Sequence, residues 1–436
     1  MPIRLPHIAL SALSAALLIG CSQPTSAPTA ARYAAVATVQ LQPGDTRASL
    51  RARLHGDVLS WPDCQPGQAD CTATVGLSDT DALTPQGQGT LRALAGTGLG
   101  IEPNRDVFSG GGTLTAVLTS VTTWAGGSVK TWSGGSVKTW SGGTYTPLPQ
   151  NTGLWGTLGL QSAQQQAPKL GAGVTVAVID TGLDVNHPAF AGALSAPGTW
   201  RDFVDGDALP QEEGVLGVGA YGHGTNVAGI VLQVAPQATI MPLRVLAPDG
   251  SGDVSSVVQA IDWAVAKGAN VINLSLGSDE RSKAVQDAIN RASTRNVLVV
   301  CSAGNQNEQR LTYPAYDAAG IGGERTVSVG SVDAQDRKSS FSNYSDRLEV
   351  VAPGENVYAP APGNAMAAWS GTSMAAPMVS GGLALALAEG SLNPRDLAAN
   401  IIDKADDIYK LNPSYKGMLG RKGRLDLAAF IDAALH

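Results

Sequence analysis

Charged residues are scarce in this chain of 436 residues: they make up 15% of it, and the formal net charge is -7 at pH 7. Without an excess of basic residues the chain lacks the usual basis for non-specific nucleic-acid binding, and we expect no nucleic-acid partner. Hydrophobic residues nevertheless reach 43%, which excludes a largely disordered protein. The length allows two domains with a sizeable core, and 52 glycines and 25 prolines indicate many turns and linkers.

The N-terminus lacks a long apolar run, since the segment Ile8–Ile19 is too short to span a bilayer well. Together with Arg4 before it, this segment predicts an export signal over residues 1–20. The segment ends in Leu18-Ile19-Gly20-Cys21, which resembles the bacterial lipobox, in which the cysteine is lipidated and becomes the new N-terminus. We therefore expect a lipid on Cys21 and a polar tether over residues 21–32. An ordinary signal peptide with a chance cysteine is the alternative.

Cysteine is also rare, with four copies in the chain. Cys64 and Cys71 flank a short loop and could close a disulfide in an oxidising compartment. Two free thiols are the alternative, because spacing alone does not fix a pairing. Cys301 ends an apolar run and is expected to be an inert buried thiol.

The first folded region is predicted over residues 33–109. Its hydrophobic pattern gives the element order β-α-β-β-α-β, which is common to ferredoxin-like α+β domains. The strands are predicted at Ala35–Leu41, Asp57–Trp61, Thr72–Leu77 and from Ile101, and the helices at Thr46–Leu54 and Pro85–Leu94. Gly87 and Gly89 weaken the second helix.

Residues 110–150 carry an internal repeat. The sequence Lys-Thr-Trp-Ser-Gly-Gly-Ser-Val occurs nearly twice, around Trp132 and Trp140, with a degenerate copy at Trp124. Three short copies are too few for a solenoid core, so we expect an extended, glycine-rich linker. An aromatic surface for carbohydrate or a partner is the alternative.

From Gly171 onward, strands alternate with helices, which predicts a doubly wound, mainly parallel α/β domain within residues 151–436. The predicted strands are Val174–Ile179, Thr239–Val245, Asn270–Leu276, Asn296–Cys301, Thr326–Val332 and Leu348–Val351, with helices near 223–233, 254–267 and 281–293. In such sheets, active sites collect at the carboxyl ends of the strands.

Three side chains of this domain have the types that nucleophilic catalysis requires. Ser373 precedes an apolar run that predicts a buried helix, so it lies near a helix N-terminus that favours negative charge. Pro377 is expected close to the start of that helix. Asp180 ends the first strand, and His223 opens another helix among small residues. A serine nucleophile needs a base, and the base needs an acceptor that fixes its tautomer. A core histidine is the alternative for His223.

Several motifs around these residues closely resemble those of the subtilisin-like serine proteases. They are Val176-Ala177-Val178-Ile179-Asp180-Thr181-Gly182, His223-Gly224-Thr225, Val271-Ile272-Asn273-Leu274-Ser275-Leu276-Gly277, Ser302-Ala303-Gly304-Asn305 and Gly371-Thr372-Ser373-Met374-Ala375. The resemblance implies that Asp180 orients His223, which acts as general base and then general acid. It implies that Ser373 is the nucleophile and that Asn305 donates its amide to an oxyanion hole beside the N–H of Ser373.

The same resemblance places the substrate. It implies two edges, Gly250-Ser251-Gly252 and Ser275-Leu276-Gly277, that hold a peptide as an added β-strand, and an apolar pocket there is expected to include Val254 and Val257. For residues 33–109, the resemblance implies a propeptide domain that assists folding, blocks the active site and is cut off autocatalytically.

One departure from the family concerns calcium. Ala189 stands where the family has an aspartate that ligates its strong calcium site. The loop that completes that site is missing, because Ala228-Gly229-Ile230-Val231 runs almost directly to Val234-Ala235-Pro236. We expect that site to be absent and no cofactor to be required. A different structural calcium site stays open.

These observations predict a serine endopeptidase that forms an acyl-enzyme on peptide or protein substrates. We expect export as a zymogen, a membrane contact through the lipid on Cys21, and release to the medium if the linker is cut. Asp180-Thr181-Gly182 also resembles half of an aspartic-protease site, but the chain contains no second Asp-Thr-Gly. A catalytically silent, lipid-anchored binding protein is the alternative.

Overall fold

The computed structural model describes residues 33–68, 71–95, 98–109, 130–132, 151–215, 218–319 and 325–436. The predicted signal, Cys21 and the tether lie outside these residues, as does the repeat linker apart from Lys130–Trp132. The described residues belong to one compact unit. None of the helices within these ranges is long and apolar enough to cross a bilayer.

The small N-terminal region has the element order that its sequence predicts. Its elements are β1 (Ala35–Gln40), α1 (Arg47–Leu54), β2 (Asp57–Ser60), β3 (Thr72–Leu77), α2 (Pro85–Ala95) and β4 (Leu99–Pro103), with a 3₁₀ turn at Thr80–Leu83. The strands form one antiparallel sheet in the order β2-β3-β1-β4. Two short strands follow it, β5 (Asp106–Ser109) and β6 (Lys130–Trp132).

Two local features explain how this region is built. Thr46 caps α1, because its hydroxyl accepts the N–H of Ser49 at 3.1 Å. Gly87 lies inside α2 for a packing reason: a Cβ at this position would lie 1.8 Å from the carbonyl oxygen of Asp81. Cys64 and Cys71 are joined by a disulfide.

The C-terminal region alternates strands and helices. Its helices are α3 (Thr152–Thr157), α4 (Leu160–Gln166), α5 (His223–Val234), α6 (Val254–Ala266), α7 (Lys283–Thr294), α8 (Thr372–Glu389), α9 (Pro394–Asp403) and α10 (Leu427–Leu435). Its strands are β7 (Thr175–Asp180), β8 (Arg201–Asp202), β9 (Thr239–Arg244), β10 (Ser251–Asp253), β11 (Val271–Leu274), β12 (Leu276–Gly277), β13 (Leu298–Ser302), β14 (Thr326–Val332), β15 (Val350–Pro353), β16 (Val357–Ala361), β17 (Ala365–Trp369), β18 (Asp406–Asp407) and β19 (Gly423–Arg424). Short 3₁₀ turns lie at Pro188–Phe190, Pro197–Thr199, Ala315–Asp317 and Pro413–Tyr415.

The predicted doubly wound sheet is confirmed. Nine strands pair in the order β18-β19-β15-β14-β13-β11-β7-β9-β8, and every pair is parallel except β18 with β19. Strand β7 shows why its sequence is almost continuously apolar. Val176 and Val178 belong to the core that contains α5 and α8, whereas Ala177 and Ile179 belong to the core that contains α6 and α7. Both faces are therefore covered by helices.

Two sequence expectations need correction. The strand predicted over Asn270–Leu276 is divided at Ser275 into β11 and β12. Pro377 is not in the first turn of its helix, because α8 begins at Thr372 and Pro377 is the sixth residue. Both departures have the same physical reason, a contact between Ser275 and Ser373 that is described below.

Candidate active site

Asp180 and His223 form a buried pair at the carboxyl end of the sheet. Asp180 is the last residue of β7, and His223 is the first residue of α5. The Nδ1 atom of His223 lies 2.7 Å from Oδ1 of Asp180, and the side chains are 4% and 0% exposed. Because an ionised carboxylate can only accept, Nδ1 carries the proton and Nε2 is the basic nitrogen. The Asp180 oxygen also accepts the N–H of Thr181 at 2.7 Å.

The glycines on either side of His223 have distinct structural roles. Gly222 precedes α5 with a φ of 96°, a conformation that favours glycine. A Cβ at Gly224 would lie 2.2 Å from the carbonyl oxygen of Gly182 and 3.1 Å from Cβ of Asp180. The first turn of α5 can therefore approach the end of β7 closely only with glycine at position 224.

Ser373 lies in the first turn of α8 and is 2% exposed. Its hydroxyl donates to the carbonyl oxygen of Ser275 at 3.3 Å, and the Ser275 hydroxyl donates to the carbonyl oxygen of Ser373 at 2.9 Å. In a regular helix that carbonyl would accept the N–H of residue 377, which proline lacks. Because Pro377 has no N–H, the carbonyl oxygen of Ser373 can accept the Ser275 hydroxyl instead. Ser275 makes this contact from its position between β11 and β12, outside both strands.

Asn305 follows β13 and lies beside the start of α8. Its side-chain oxygen accepts the N–H of Thr372 at 2.9 Å and the Thr372 hydroxyl at 3.0 Å. The amide nitrogen of Asn305 is directed to Gly371, where a Cβ would lie 3.3 Å from it. Asn305 therefore has its donor group beside the backbone that leads into Ser373.

Trp369 connects the two halves of this arrangement. The indole ring meets the His223 ring edge-on, with centroids 5.7 Å apart and an interplanar angle of 81°. Trp369 ends β17, four residues before Ser373, and is 2% exposed. This contact places the imidazole against the chain segment that carries the serine. No sequence pattern singles out Trp369, since a buried aromatic residue is normally a packing residue.

The two predicted substrate edges face each other across one strand of the same chain. Strand β5 pairs antiparallel with both β10 and β12 and forms the middle strand of a three-stranded sheet. Gly252 lies opposite Val107 on one side, and Leu276 lies opposite Ser109 on the other. Of the remaining predicted residues, Ser251 is in β10, Gly277 is in β12, Gly250 is in the turn before β10, and Ser275 lies between β11 and β12.

Val107 forms part of the wall of a pocket next to these edges. It is 4% exposed. Val254, Val257 and Leu276 contribute to its wall, together with Tyr313 from the opposite side. The sequence predicted an apolar pocket containing Val254 and Val257, and the structure places both there.

Three residues just before β5 attach the small region to the helices of the large one. The Glu102 carboxylate lies at the N-terminus of α7, where it accepts the Ser282 hydroxyl at 2.9 Å and the N–H groups of Lys283 and Ala284 at 3.0 and 2.8 Å. The side-chain oxygen of Asn104 accepts the N–H of Ser255 at 2.9 Å, and Arg105 pairs with Glu280 at 2.8 Å.

Ala189 itself has no side-chain group that could ligate a metal. Ala189 is buried in the turn Pro188–Phe190, and its N–H donates to Nδ1 of His187 at 3.1 Å. Within the described ranges, no group of three or more His, Cys, Asp or Glu residues is arranged to hold a metal ion. The calcium expectations remain predictions.

Comparison with known proteins places the large region in a well-characterised group. Residues 171–423 match the model of the Subtilase family. Thermitase of Thermoactinomyces vulgaris is 36% identical over 282 residues, which cover 62% of this chain and 93% of that protein. Subtilisin BL of Lederbergia lenta is 39% identical over 241 residues, covering 53% and 82%. The thermophilic serine proteinase of Bacillus sp. (strain AK1) is 38% identical over 255 residues, covering 56% and 59%.

Proposed function

We propose that Ser373 is the catalytic nucleophile of this protein, because the chain belongs to the subtilase family and is a serine-type endopeptidase. The observation that carries this assignment is the buried contact of 2.7 Å between Nδ1 of His223 and Oδ1 of Asp180. It leaves Nε2 as the base, beside the segment from Trp369 to Ser373. The Ser373 hydroxyl, which now donates to the Ser275 carbonyl, must turn to His223 before it can react.

The chemistry follows from these roles. The Ser373 oxygen attacks the carbonyl carbon of a peptide bond while His223 takes the hydroxyl proton at Nε2. The resulting tetrahedral intermediate collapses when His223 gives that proton to the leaving amine, and an acyl-enzyme remains. Water then attacks the ester, with His223 again as base, and the acid product leaves as Ser373 regains its proton. Asp180 stabilises the imidazolium in both steps.

Two donors would stabilise the negative oxygen of each tetrahedral intermediate. The N–H of Ser373 lies in the first turn of α8, where helix N–H groups have no intrahelical acceptor and the dipole favours an anion. The amide of Asn305 is oriented by Thr372 so that its nitrogen is available on the Gly371 side. Donors fixed before the reaction starts cost little reorganisation in the transition state.

We also propose that residues 33–109 act as an inhibitory propeptide. Strand β5 occupies the position between β10 and β12 where an added substrate strand would pair, and Val107 lies against the pocket that Val254, Val257 and Leu276 line. The contacts of Glu102 and Asn104 with α7 and α6 support this role, since they fix the segment that leads into β5. Removal of this region would open the groove to peptide and protein substrates.

The proposed location follows from the N-terminal sequence. An export signal over residues 1–20, followed by a lipidated Cys21, would anchor the precursor in the bacterial envelope through the small region. A cut in the glycine-rich linker would then separate the lipid from the enzyme, because linkers of this composition are exposed and easily cleaved. The mature enzyme would be released to the medium unless the two parts stay associated.

A fluorophosphonate probe tests the assignment of Ser373. After removal of residues 33–109, we expect a stoichiometric label that peptide mapping locates on Ser373, and no label on the Ser373→Ala variant. A folded wild-type protein that neither reacts with the probe nor cleaves a denatured substrate would support the silent binding protein instead.

A further inference from the structure

A second buried acid lies next to the Asp180–His223 pair and has no part in the chemistry described above. Glu212 belongs to the loop between β8 and α5 and is 4% exposed. No pattern in the sequence singles it out, since an isolated glutamate in a polar loop is normally solvated. Burial of a carboxylate is costly unless it is hydrogen-bonded, so its partners indicate what it does.

The Glu212 carboxylate connects the two elements that carry Asp180 and His223. One oxygen accepts the hydroxyl of Thr181 and, at 3.1 Å, the N–H of Gly224. The other oxygen accepts the hydroxyl of Thr225 at 2.7 Å. Thr181 directly follows Asp180 at the end of β7, and Gly224 and Thr225 directly follow His223 in α5. The carboxylate therefore joins the neighbours of both members of the pair.

The surrounding network reinforces this bridge. The Thr181 hydroxyl oxygen also accepts the N–H of Gly224 at 2.9 Å, and the Thr225 hydroxyl oxygen accepts the N–H of Asp184 at 2.9 Å. A carboxylate in the first turn of a helix is also favoured by the helix dipole. A cap of this kind would stabilise α5 wherever it occurred. Here the same three donors set the distance between the residue after Asp180 and the residues after His223.

The charges around Glu212 come from several elements. Asp180 and Asp184 lie on its β7 side, and His223 and Tyr221 lie at the start of α5. Arg244 of β9 is nearby, but its guanidinium is held by other carboxylates, those of Asp202 at 2.8 Å, Asp205 at 2.6 Å and Glu213 at 3.3 Å. Burial raises the pKa of Glu212 to about 7, against the lowering effect of the two threonine hydroxyls.

We propose that Glu212 is a positioning residue for the Asp180–His223 pair: it holds the start of α5 against the end of β7, and in its ionised form it adds a second buried negative charge near the pair. The proposal rests on the function proposed for Ser373, because it assigns a role within that mechanism. An anion near His223 favours the protonated ring that forms in each transition state. The effect of this charge on the rate can be measured through its pH dependence.

Substitution of Glu212 by glutamine separates this role from a merely structural one. Glutamine has nearly the same size and can still accept from Thr181 and Gly224, but it has no charge. We expect kcat/KM for Glu212→Gln to fall about tenfold above pH 7, where Glu212 is ionised, mainly through kcat. Its acid limb should move to lower pH by less than about one unit, because wild-type Glu212 is itself partly protonated there. The acid limb moves to lower pH because it reports protonation of the base in the free enzyme, and loss of the Glu212 charge disfavours that protonation.

Three further variants serve as controls. Glu213→Gln removes the same charge from the adjacent position, where the side chain is 59% exposed; its pH profile should match that of wild type. Thr225→Val removes the hydroxyl that donates to Glu212, so its acid limb should move to lower pH by less than that of Glu212→Gln. Thr225→Ser keeps a hydroxyl at this position, so its acid limb should match that of wild type. All rates are measured on the processed enzyme with a small peptide substrate and are divided by the concentration of sites titrated with a fluorophosphonate.

The outcomes are distinct. If titrated Glu212→Gln has the kcat and acid limb of wild type, the proposal is wrong, even if the variant melts at a lower temperature. If Glu212→Gln does not accumulate as folded protein, identical pH profiles for Thr225→Val and Thr225→Ser would overturn it. A wild-type enzyme that neither labels nor turns over would instead refute the function proposed for Ser373.

Discussion

The side-chain oxygen of Asn305 accepts two hydrogen bonds from Thr372, one from its N–H at 2.9 Å and one from its hydroxyl at 3.0 Å. Both donors lie on the residue that precedes Ser373. An amide whose oxygen is held in this way has its NH₂ group on the opposite side. Asn305 is therefore oriented as a donor by the same helix start that carries the proposed nucleophile.

This orientation gives the first prediction. Asn305→Ala should lower kcat by about 10²–10³ with little change in KM, a magnitude that comes from the equivalent donor of subtilisin itself. Asn305→Asp keeps the acceptor for Thr372 but replaces the donor by a negative charge, so it should lose at least as much activity while keeping the melting temperature. Steady-state kinetics and thermal melts of both variants check this. An effect mainly on KM would contradict the oxyanion role.

The second prediction concerns the hold of the small region on the large one. Glu102→Ala removes a carboxylate that accepts three hydrogen bonds at the N-terminus of α7. Hydrogen bonds to a charged group contribute about 1.5–3 kcal/mol, so residues 33–109 should dissociate at least tenfold more readily once the linker is cut. Gel filtration of cleaved protein, together with residual inhibition, measures this.

Asp63→Asn provides the matched control for Glu102. Asp63 pairs with Arg295 between the same two regions, but both side chains are largely exposed, at 80% and 49%. Exposed ion pairs contribute little, so inhibition should hardly change. Equal effects of the two variants would show that Glu102 is not a main anchor of residues 33–109.

The third prediction concerns calcium. Ala189 and the short connection after α5 argue against the strong site of the family, since calcium needs about six to eight oxygen ligands. A ligand present at 100 times its Kd would stabilise the fold by about 2.7 kcal/mol. We therefore expect the melting temperature to be the same with and without a chelator. A large drop that calcium specifically restores would contradict this prediction, unless the calcium is found to bind at a different structural site.

The fourth prediction concerns processing. Wild-type protein should exist in two states, a membrane-bound precursor and a released enzyme near the size of residues 150–436. Fractionation of membranes and medium, with mass spectrometry of each N-terminus, distinguishes them. Active, full-length, membrane-bound protein without a shorter form would refute release. If Ser373→Ala were processed as fast as wild type, another protease would make the cut.

The sequence predicted those parts of the site that depend on local patterns. Asp180, His223 and Asn305 each lie at a strand end or helix start, and short motifs specify such positions. The division of a predicted strand at Ser275 was not foreseeable, because it depends on a hydroxyl that meets a carbonyl 98 residues away. The sequence prediction put Pro377 too close to the helix start for the same reason. The helix tolerates a proline at this position because Ser275, a distant residue, donates to the Ser373 carbonyl.

Other features needed tertiary structure from the outset. Strand β5 carries no signal that it will pair with β10 and β12, which lie more than 100 residues later in the chain. Trp369 and Glu212 look like an ordinary core residue and an ordinary loop residue in the sequence. Their positions beside His223 arise from packing between elements, and hydrophobic periodicity does not encode such packing.

Turnover of a denatured protein substrate by wild type and by Ser373→Ala tests the central claim most directly. Ser293→Ala is the control, because its buried hydroxyl has no hydrogen-bond partner among the described residues. With residues 33–109 removed, we expect wild type and Ser293→Ala to cleave the substrate at similar rates and folded Ser373→Ala to have no measurable activity. Substantial turnover by purified Ser373→Ala would contradict the assignment of Ser373 as the nucleophile.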